Sequence, residues 1–332
     1  MNASRSSFAA LALIALLASS EASASIMQMV VFGDSLSDSG NLYNLTGIPT
    51  SPPYDQRFSN GPVAVEYLAS SLGVLLTPST VGGTNYAWAG AATGYVTTAS
   101  GAYDSYVAYA YPQASGLNGL TGMQQQVADY IGGTPSSLAN TLFVLWGGAN
   151  DAFISADPLT MSNAVVNLGN EINALIGVGA TRFLIPNMAD LSLTPEGQTY
   201  DAVTRAYLSN LTDGFNSALA SALLGIKANN PAVDLVGFDT NALFKEVFND
   251  PAAYGFTNNT TACLYDAGCS NPDQYMFWDS SHPTTRLNQI LGNAFFAATV
   301  PEPDSWLLLL GGLLPMFWVR RLVARPQAMA AA

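Results

Sequence analysis

Between residues 25 and 300 the apolar positions fall into two alternating kinds of segment. Short, almost wholly apolar runs occupy 27–32, 85–88, 141–146, 181–186 and 233–238, of which TLFVLW at 141–146 is the clearest. Longer stretches of helical character lie near 62–72, 121–131, 161–176, 199–228, 240–249 and 284–298. The first kind suits strands buried on both faces and the second suits helices laid over them, so the pattern predicts a three-layer α/β/α sandwich around a mostly parallel sheet. No repeat, charge block or polar linker interrupts the alternation, which makes 25–299 one domain. One segment departs from it: residues 93–118 are rich in Tyr, Ala, Ser and Gly, with Tyr95, Tyr103, Tyr106, Tyr109 and Tyr111, and read as a long loop that either walls or covers a site or merely decorates the surface.

Open sheets of this kind place ligands beyond the carboxyl ends of their strands. GDS at 33–35 follows the first strand and GGAND at 147–151 follows TLFVLW, so both motifs are expected at the same edge.

Composition narrows the chemistry. Of 332 residues, 10 are Lys or Arg and 23 are Asp or Glu, a formal net charge of -13, so nothing is available to build a basic groove for nucleic acid or a charged contact with anionic membrane. A single histidine, His282, and two cysteines exclude multi-His metal centres and Cys-rich zinc sites, and no cofactor is expected.

Both ends carry address-like patterns. Arg5, the apolar run from Phe8 to Ala18 and the small residues Ala22, Ser23 and Ala24 read as a secretory signal peptide over 1–24, with the mature chain beginning near Ser25; the run is short for a spanning anchor. At the other end VPEPDSW at 300–306 leads into an apolar stretch from Trp306 to Val319 that contains Pro315 and closes on Arg320 and Arg321. That string resembles the PEP-CTERM sorting signal of Gram-negative bacteria, which places the signal at 300–323 and implies an exosortase as processing partner. A marginal span of this length suits transient membrane insertion and removal better than permanent anchoring. The segment from 25 to 300 holds 20 acids and 6 bases, so the acidity belongs to a body expected in the cell envelope, at the surface or in the extracellular matrix. In an oxidising compartment the neighbouring Cys263 and Cys269 are expected to form a local disulfide, the alternative being two buried thiols.

The chemistry-bearing residues come in order. A serine where a parallel strand turns into a helix has an exposed hydroxyl, and N–H groups at the helix start can hold an oxyanion, so Ser35 suits a nucleophile; Asp and Ser are also common helix caps. Far downstream, FWDSSHPT sets Asp279 three residues before His282, a spacing that lets a carboxylate orient an imidazole base. Between them, Gly90 in GGTNYAWAGA can present a bare N–H and Asn150 in GGAND a side-chain amide, although a packing glycine and a turn asparagine read equally well from either motif alone.

GDSLSDSGN at 33–41, GGTNYAWAGA at 82–91, GGAND and DSSHP, in this order, resemble the blocks of the GDSL or SGNH hydrolases, and specifically the longer, secreted lipase and esterase subgroup. RFSNGPVAVEYLA at 57–69, LIPN at 184–187 and CSNPDQYMFWDSSHPT at 269–284 match as well, so the resemblance covers nearly all of 28–297. It implies a flavodoxin-like SGNH hydrolase fold, Ser35 as nucleophile, His282 as general base, Asp279 as its partner, and the Ser35 N–H, Gly90 and Asn150 as oxyanion donors. It implies in turn the hydrolysis of carboxylic esters through an acyl-enzyme. Ala89 stands before Gly90 where many members have a second glycine. Lipid esters and acylated carbohydrate, including O-acetyl groups of exopolysaccharide, both remain as substrates, and a non-enzymatic surface or matrix protein that keeps the fold is the rival from another class. No G-x-S-x-G elbow is present, and GVGATR at 177–182 lies between helix and strand, the reverse of a dinucleotide fingerprint.

Overall fold

The alternation of side chains along the strands divides the interior in two. The computed structural model describes residues 25–134 and 138–300, so the expected signal peptide over 1–24 and, Val300 apart, the expected sorting signal over 300–323 lie outside the described residues. Strand β1 (Gln28–Gly33) leads through the short α1 (Asn41–Thr46) to α2 (Ala64–Leu72). A hairpin of β2 (Ala91–Thr98) and β3 (Gly101–Ser105) and the short α3 (Tyr106–Ala110) precede α4 (Met123–Gly132). Then β4 (Thr141–Trp146) is followed by α5 (Ala149–Ile154) and α6 (Pro158–Gly177), and β5 (Arg182–Pro186) by α7 (Pro195–Thr199) and α8 (Ala202–Asn229). Finally β6 (Asp234–Phe238) runs to α9 (Thr240–Asn249), and β7 (Asn258–Ala262) and β8 (Tyr275–Phe277) lead to α10 (Thr285–Thr299).

Strands β1, β4, β5 and β6 form a parallel sheet in the order β1-β4-β5-β6. Val30 and Phe32 of β1, Phe143 and Leu145 of β4, and Phe183 and Ile185 of β5 point to one face, where α4, α6 and α8 cover them. Met29, Val31, Leu142, Val144, Trp146 and Leu184 point to the other, under α2, α9 and α10. The interior positions of β1, β4 and β5 are therefore apolar because each has a helix above or below it, whereas β6 at the sheet edge is only partly buried.

Helix boundaries follow their caps. Asp201 accepts from the Thr204 N–H and starts α8, whose buried Leu211, Phe215, Leu219, Leu223 and Ile226 recur at three- and four-residue spacing. Asp157 caps α6, with Pro158 in the first turn, so that helix begins three residues before the hydrophobic pattern suggests. Thr284 caps α10, which buries Leu287, Leu291 and Phe295.

Two expectations need correction. Residues 85–88 are not a regular strand: Val31 N–H bonds Thr84 O, and Tyr86 and Trp88 donate to Val31 and Gly33, so the segment runs along the free edge of β1. Asn85 diverts from a ladder because its side chain is used internally, donating to Ser37 O and Ser39 Oγ. Nor is 93–118 a featureless loop. It holds most of the β2–β3 hairpin, α3 and a short 3-10 turn, and Asp104 fastens it by accepting the Gly119 and Gly122 N–H groups. Gly, Ala and Ser in this segment give no periodic signal, and three of its tyrosines stack on one another instead, Tyr103 on Tyr109 and Tyr106 on Tyr109.

Inside α6, Glu171 is buried and neither carboxylate oxygen has a hydrogen-bond partner. Burial, with the Asp151 charge behind it, pushes its pKa well above the ordinary carboxylate value. A carboxyl whose folded pKa is raised costs stability as pH climbs from its unfolded value toward its folded one, because folding then requires it to stay protonated. Glu171→Gln should therefore raise the thermal midpoint more at pH 8 than at pH 5. Equal midpoint changes at the two values would mean that the carboxyl does not bear this burden.

Candidate active site

The turn after β1 is fixed before any functional group is placed. Gln126 of α4, buried, accepts the Gly33 N–H at 2.9 Å and donates to Gly33 O at 2.8 Å, gripping both backbone groups of the last strand residue. Asp34 O then takes the N–H groups of Ser37 and Asp38, which turns the chain and leaves Ser35 at the sheet edge. Asp38 completes the anchorage: its buried carboxylate accepts from the N–H groups of Gly40, Asn41, Leu42 and Ala89 at 2.6–3.1 Å. The last of these ties the serine turn to the residue before Gly90.

Gly90 has φ +85, and a β-carbon there would meet Val107 Cγ2 at 2.5 Å, so only glycine fits. The same holds at Gly148, φ +116, where a β-carbon would meet Phe215 at 2.7 Å; this turn starts α5 and delivers Asn150 to the same rim. Asn150 donates one amide hydrogen to Ala91 O at 3.0 Å. Its second amide hydrogen, and the backbone N–H groups of Ser35 and Gly90, have no protein acceptor among the described residues. Buried donors without acceptors mark a place where a ligand atom is received.

His282 arrives from the opposite end of the chain. Its Nε2 lies 2.8 Å from Ser35 Oγ, and its Nδ1 lies 2.8 Å from both oxygens of Asp279. The carboxylate holds the proton on Nδ1, so the Nε2 lone pair faces the serine hydroxyl. Asp279 Oδ1 also accepts the Ser281 and His282 N–H groups, which closes the turn that carries the imidazole. Burial alone would lower the His282 pKa, but the charge and hydrogen bond of Asp279, with Asp34 beyond, raise it above the ordinary value. Burial works against ionised Asp279, yet the His282 charge and three hydrogen bonds hold its pKa below the usual carboxylate range. Asp34 is pushed up to about 6 by burial, against the Leu36 N–H and His282. Asp151, beside Asn150, is pushed up to about 7 by burial, against the Thr93 N–H and hydroxyl.

These groups open on a cavity of about 510 Å³. Ser35, Gly90, Asn150, Asp279 and His282 all line it, so the sequence-predicted residues meet in one place. Its apolar wall includes Leu36, Ile48, Phe58, Phe153, Met188 and Phe244; Asp34 and Glu196 also reach it, and among the described residues no Lys or Arg does. Of the five tyrosines in 93–118, Tyr106 and Tyr111 line the cavity. Cys263 and Cys269 are joined in a disulfide in the loop before β8, and Leu264 within it donates to Trp278 O beside the Asp279 turn.

The motif reading missed Gln126, Asp38, Tyr54 and Phe58. Asp38 lies within GDSLSDSGN and Phe58 within RFSNG, so both stood in matched blocks without an assigned task. Phe58 packs its ring 4.9 Å from the His282 ring. Gln126 and Tyr54 carried no local signal, since their partners are distant in sequence.

A family model described as GDSL-like Lipase/Acylhydrolase matches residues 29–295. Among curated proteins, a GDSL esterase/lipase of Arabidopsis thaliana is 25% identical, with 83% of each chain covered, and a second is 26% identical over 90% of this chain and 98% of its own. The thermolabile hemolysin of Vibrio parahaemolyticus serotype O3:K6 (strain RIMD 2210633) is 27% identical over 80% of this chain and 62% of its own. Among solved structures, a member of the lipolytic protein G-D-S-L family from Veillonella parvula DSM 2008 aligns with TM-score 0.42 and 14% identity, covering 81% of this chain and 95% of that one.

Asp38→Ala would leave four N–H groups without their acceptor, three of them around the serine turn and one next to Gly90. Unsatisfied buried donors cost ~1–3 kcal/mol each, so the loss should be ~3 kcal/mol or more. Thermal unfolding should show it as a large drop in midpoint, and a change of about a degree would contradict the anchoring role.

Proposed function

The chain belongs to the GDSL-like lipase/acylhydrolase family, and we propose that it is an exported serine esterase that cleaves carboxylic esters through an acyl-enzyme on Ser35. The observation that carries this reading is the 2.8 Å contact between Ser35 Oγ and His282 Nε2 at the wall of an apolar cavity. His282 takes the serine proton as Oγ attacks the ester carbonyl carbon, and the resulting oxyanion is received by the free N–H groups of Ser35 and Gly90 and the Asn150 amide. Collapse of the tetrahedral adduct expels the alcohol, which leaves with the proton from His282. Water then attacks the acyl-serine with His282 again as base, and the carboxylic acid departs as His282 returns that proton to Ser35 Oγ. Asp279 holds the imidazole in the productive tautomer and stabilises it while it is charged.

The apolar wall supports an acyl chain as the group bound, and the names of the plant relatives agree with an ester substrate. Export rests on the N-terminal pattern over 1–24 and the PEP-CTERM-like segment over 300–323, with an exosortase as processing partner. The disulfide between Cys263 and Cys269 is in keeping with an oxidising destination.

Ser35→Ala and His282→Ala should each lower turnover of a nitrophenyl ester by orders of magnitude with the fold retained by circular dichroism, and Asn150→Ala by ~10²-fold. A fluorophosphonate should label Ser35 in the wild type; an unmodified serine would favour a non-enzymatic matrix protein. Because the base must be neutral and Asp279 raises its pKa, kcat/KM should fall as pH drops through a value above ~6.5. A rate unchanged from pH 5 to pH 8 would exclude a histidine base. Nitrophenyl esters of rising chain length, set beside acetylated xylan, separate the two substrate classes: release of acetate alone would replace the lipid reading with a carbohydrate esterase.

A further inference from the structure

Asp279 has a second partner besides the imidazole. The Tyr54 hydroxyl donates to its Oδ2 at 2.9 Å, from a segment 225 residues earlier in the chain. Oδ1 is supplied by the backbone of its own turn, but among the described residues Oδ2 receives only the His282 ring and this phenol. The ring of Tyr54 is held edge-on against both Trp278 and Phe58, at 6.2 and 5.7 Å, and the Phe58 ring in turn packs against that of His282, tilted by 40°.

The segment bearing Tyr54 and Phe58 is itself tightly held. Arg57 makes a two-pronged ion pair with Glu66 of α2, both N–O distances being 2.6 Å, and donates to Asp55 O. Ser59 Oγ donates to Pro283 O, and Asn60 accepts the Thr285 N–H, so the stretch that brings the phenol is stitched to the stretch that brings the imidazole. The segment that carries the phenol is thus anchored a few residues beyond it.

We propose that Tyr54 is a positioning residue of the catalytic group, acting through Asp279 to fix the orientation and proton affinity of His282. The inference rests on the serine-hydrolase reading of the site. A hydroxyl that shares its proton with Oδ2 withdraws part of the carboxylate charge, so the imidazole feels less of it and its pKa is kept from rising further. The hydroxyl also satisfies the one Asp279 oxygen that backbone donors do not reach, which keeps the buried carboxylate from rotating. The charged or titratable neighbours of this set are Asp34, facing His282, and the Tyr265 phenol, facing Tyr54; burial and Asp279 both raise the Tyr54 pKa, so it stays a donor throughout the working range.

Tyr54→Phe removes the hydroxyl and keeps the ring packing. With a nitrophenyl ester, kcat should fall about 3- to 10-fold with KM unchanged. The acid limb of kcat/KM should move up by about half a pH unit or more. In an Asp279→Ala background, where there is no carboxylate to act on, Tyr54→Phe should leave the rate of fluorophosphonate labelling at Ser35 unaltered. A wild-type pH profile and kcat in Tyr54→Phe, or an equal loss with and without Asp279, would overturn the proposal. An inactive and unlabelled wild type would instead overturn the hydrolase reading on which it rests.

Discussion

Everything at the rim depends on holding together two side chains that are 247 residues apart. A single contact between a hydroxyl and an imidazole cannot draw the ends of a domain together, since its net contribution is of the order of 1 kcal/mol. The work is done by backbone anchorage on either side. Gln126 and Asp38 fix the chain before and after Ser35, while Ser59, Asn60 and Asn288 fix the stretch after His282 by bonding Pro283 O and the Thr285 N–H. The packing of α10 on α2 beneath this edge, with Leu287 and Leu291 against Ala64 and Leu68 in one cluster, makes those bonds possible. The geometry at the serine is thus set by side-chain amides, carboxylates and hydroxyls whose acceptors and donors are mostly main-chain atoms.

The sheet was legible because β1, β4 and β5 are buried on both faces. TLFVLW and RFLIP show no polar interruption, and capping residues such as Asp201 and Thr284 stand where their helices begin. The features hidden from the pattern are those held by side chains rather than by periodic burial. The segment 85–88 is apolar enough for a strand, but Asn85 sends its side chain back into the serine turn, and what remains are the edge hydrogen bonds to β1 and the pairing of the Asn85 backbone with Thr77 and Ser79. The β2–β3 hairpin is held by Asp104 and by stacked tyrosines, neither of which leaves a period in the sequence.

At the rim, the residues to which the serine-hydrolase reading gives chemistry were more legible than those that hold them in place. Ser35, Gly90, Asn150, Asp279 and His282 sit in short motifs, and topology brings those after β1 and β4 to one edge. Asp38 was in view inside GDSLSDSGN, yet that one of its four donors is the Ala89 N–H could not be read from spacing. Tyr54 lies among Pro49, Pro52, Pro53 and Gly61, in a stretch without periodicity, and its significance depends on a contact 225 positions away.

The charge around the cavity bears on the fate of the product once the ester bond is broken. Asp34, Glu196 and Asp279 reach its wall and no Lys or Arg does among the described residues, while the body as a whole is strongly acidic. An uncharged ester enters such a space without electrostatic cost, but the acid formed from it ionises well below neutral pH. Under the serine-hydrolase reading the spent acyl group therefore becomes an anion beside the carboxylates of the wall, which favours its release. A catalyst built this way resists clogging by its own product, and clears fastest in media of low ionic strength, where counter-ions screen the repulsion least.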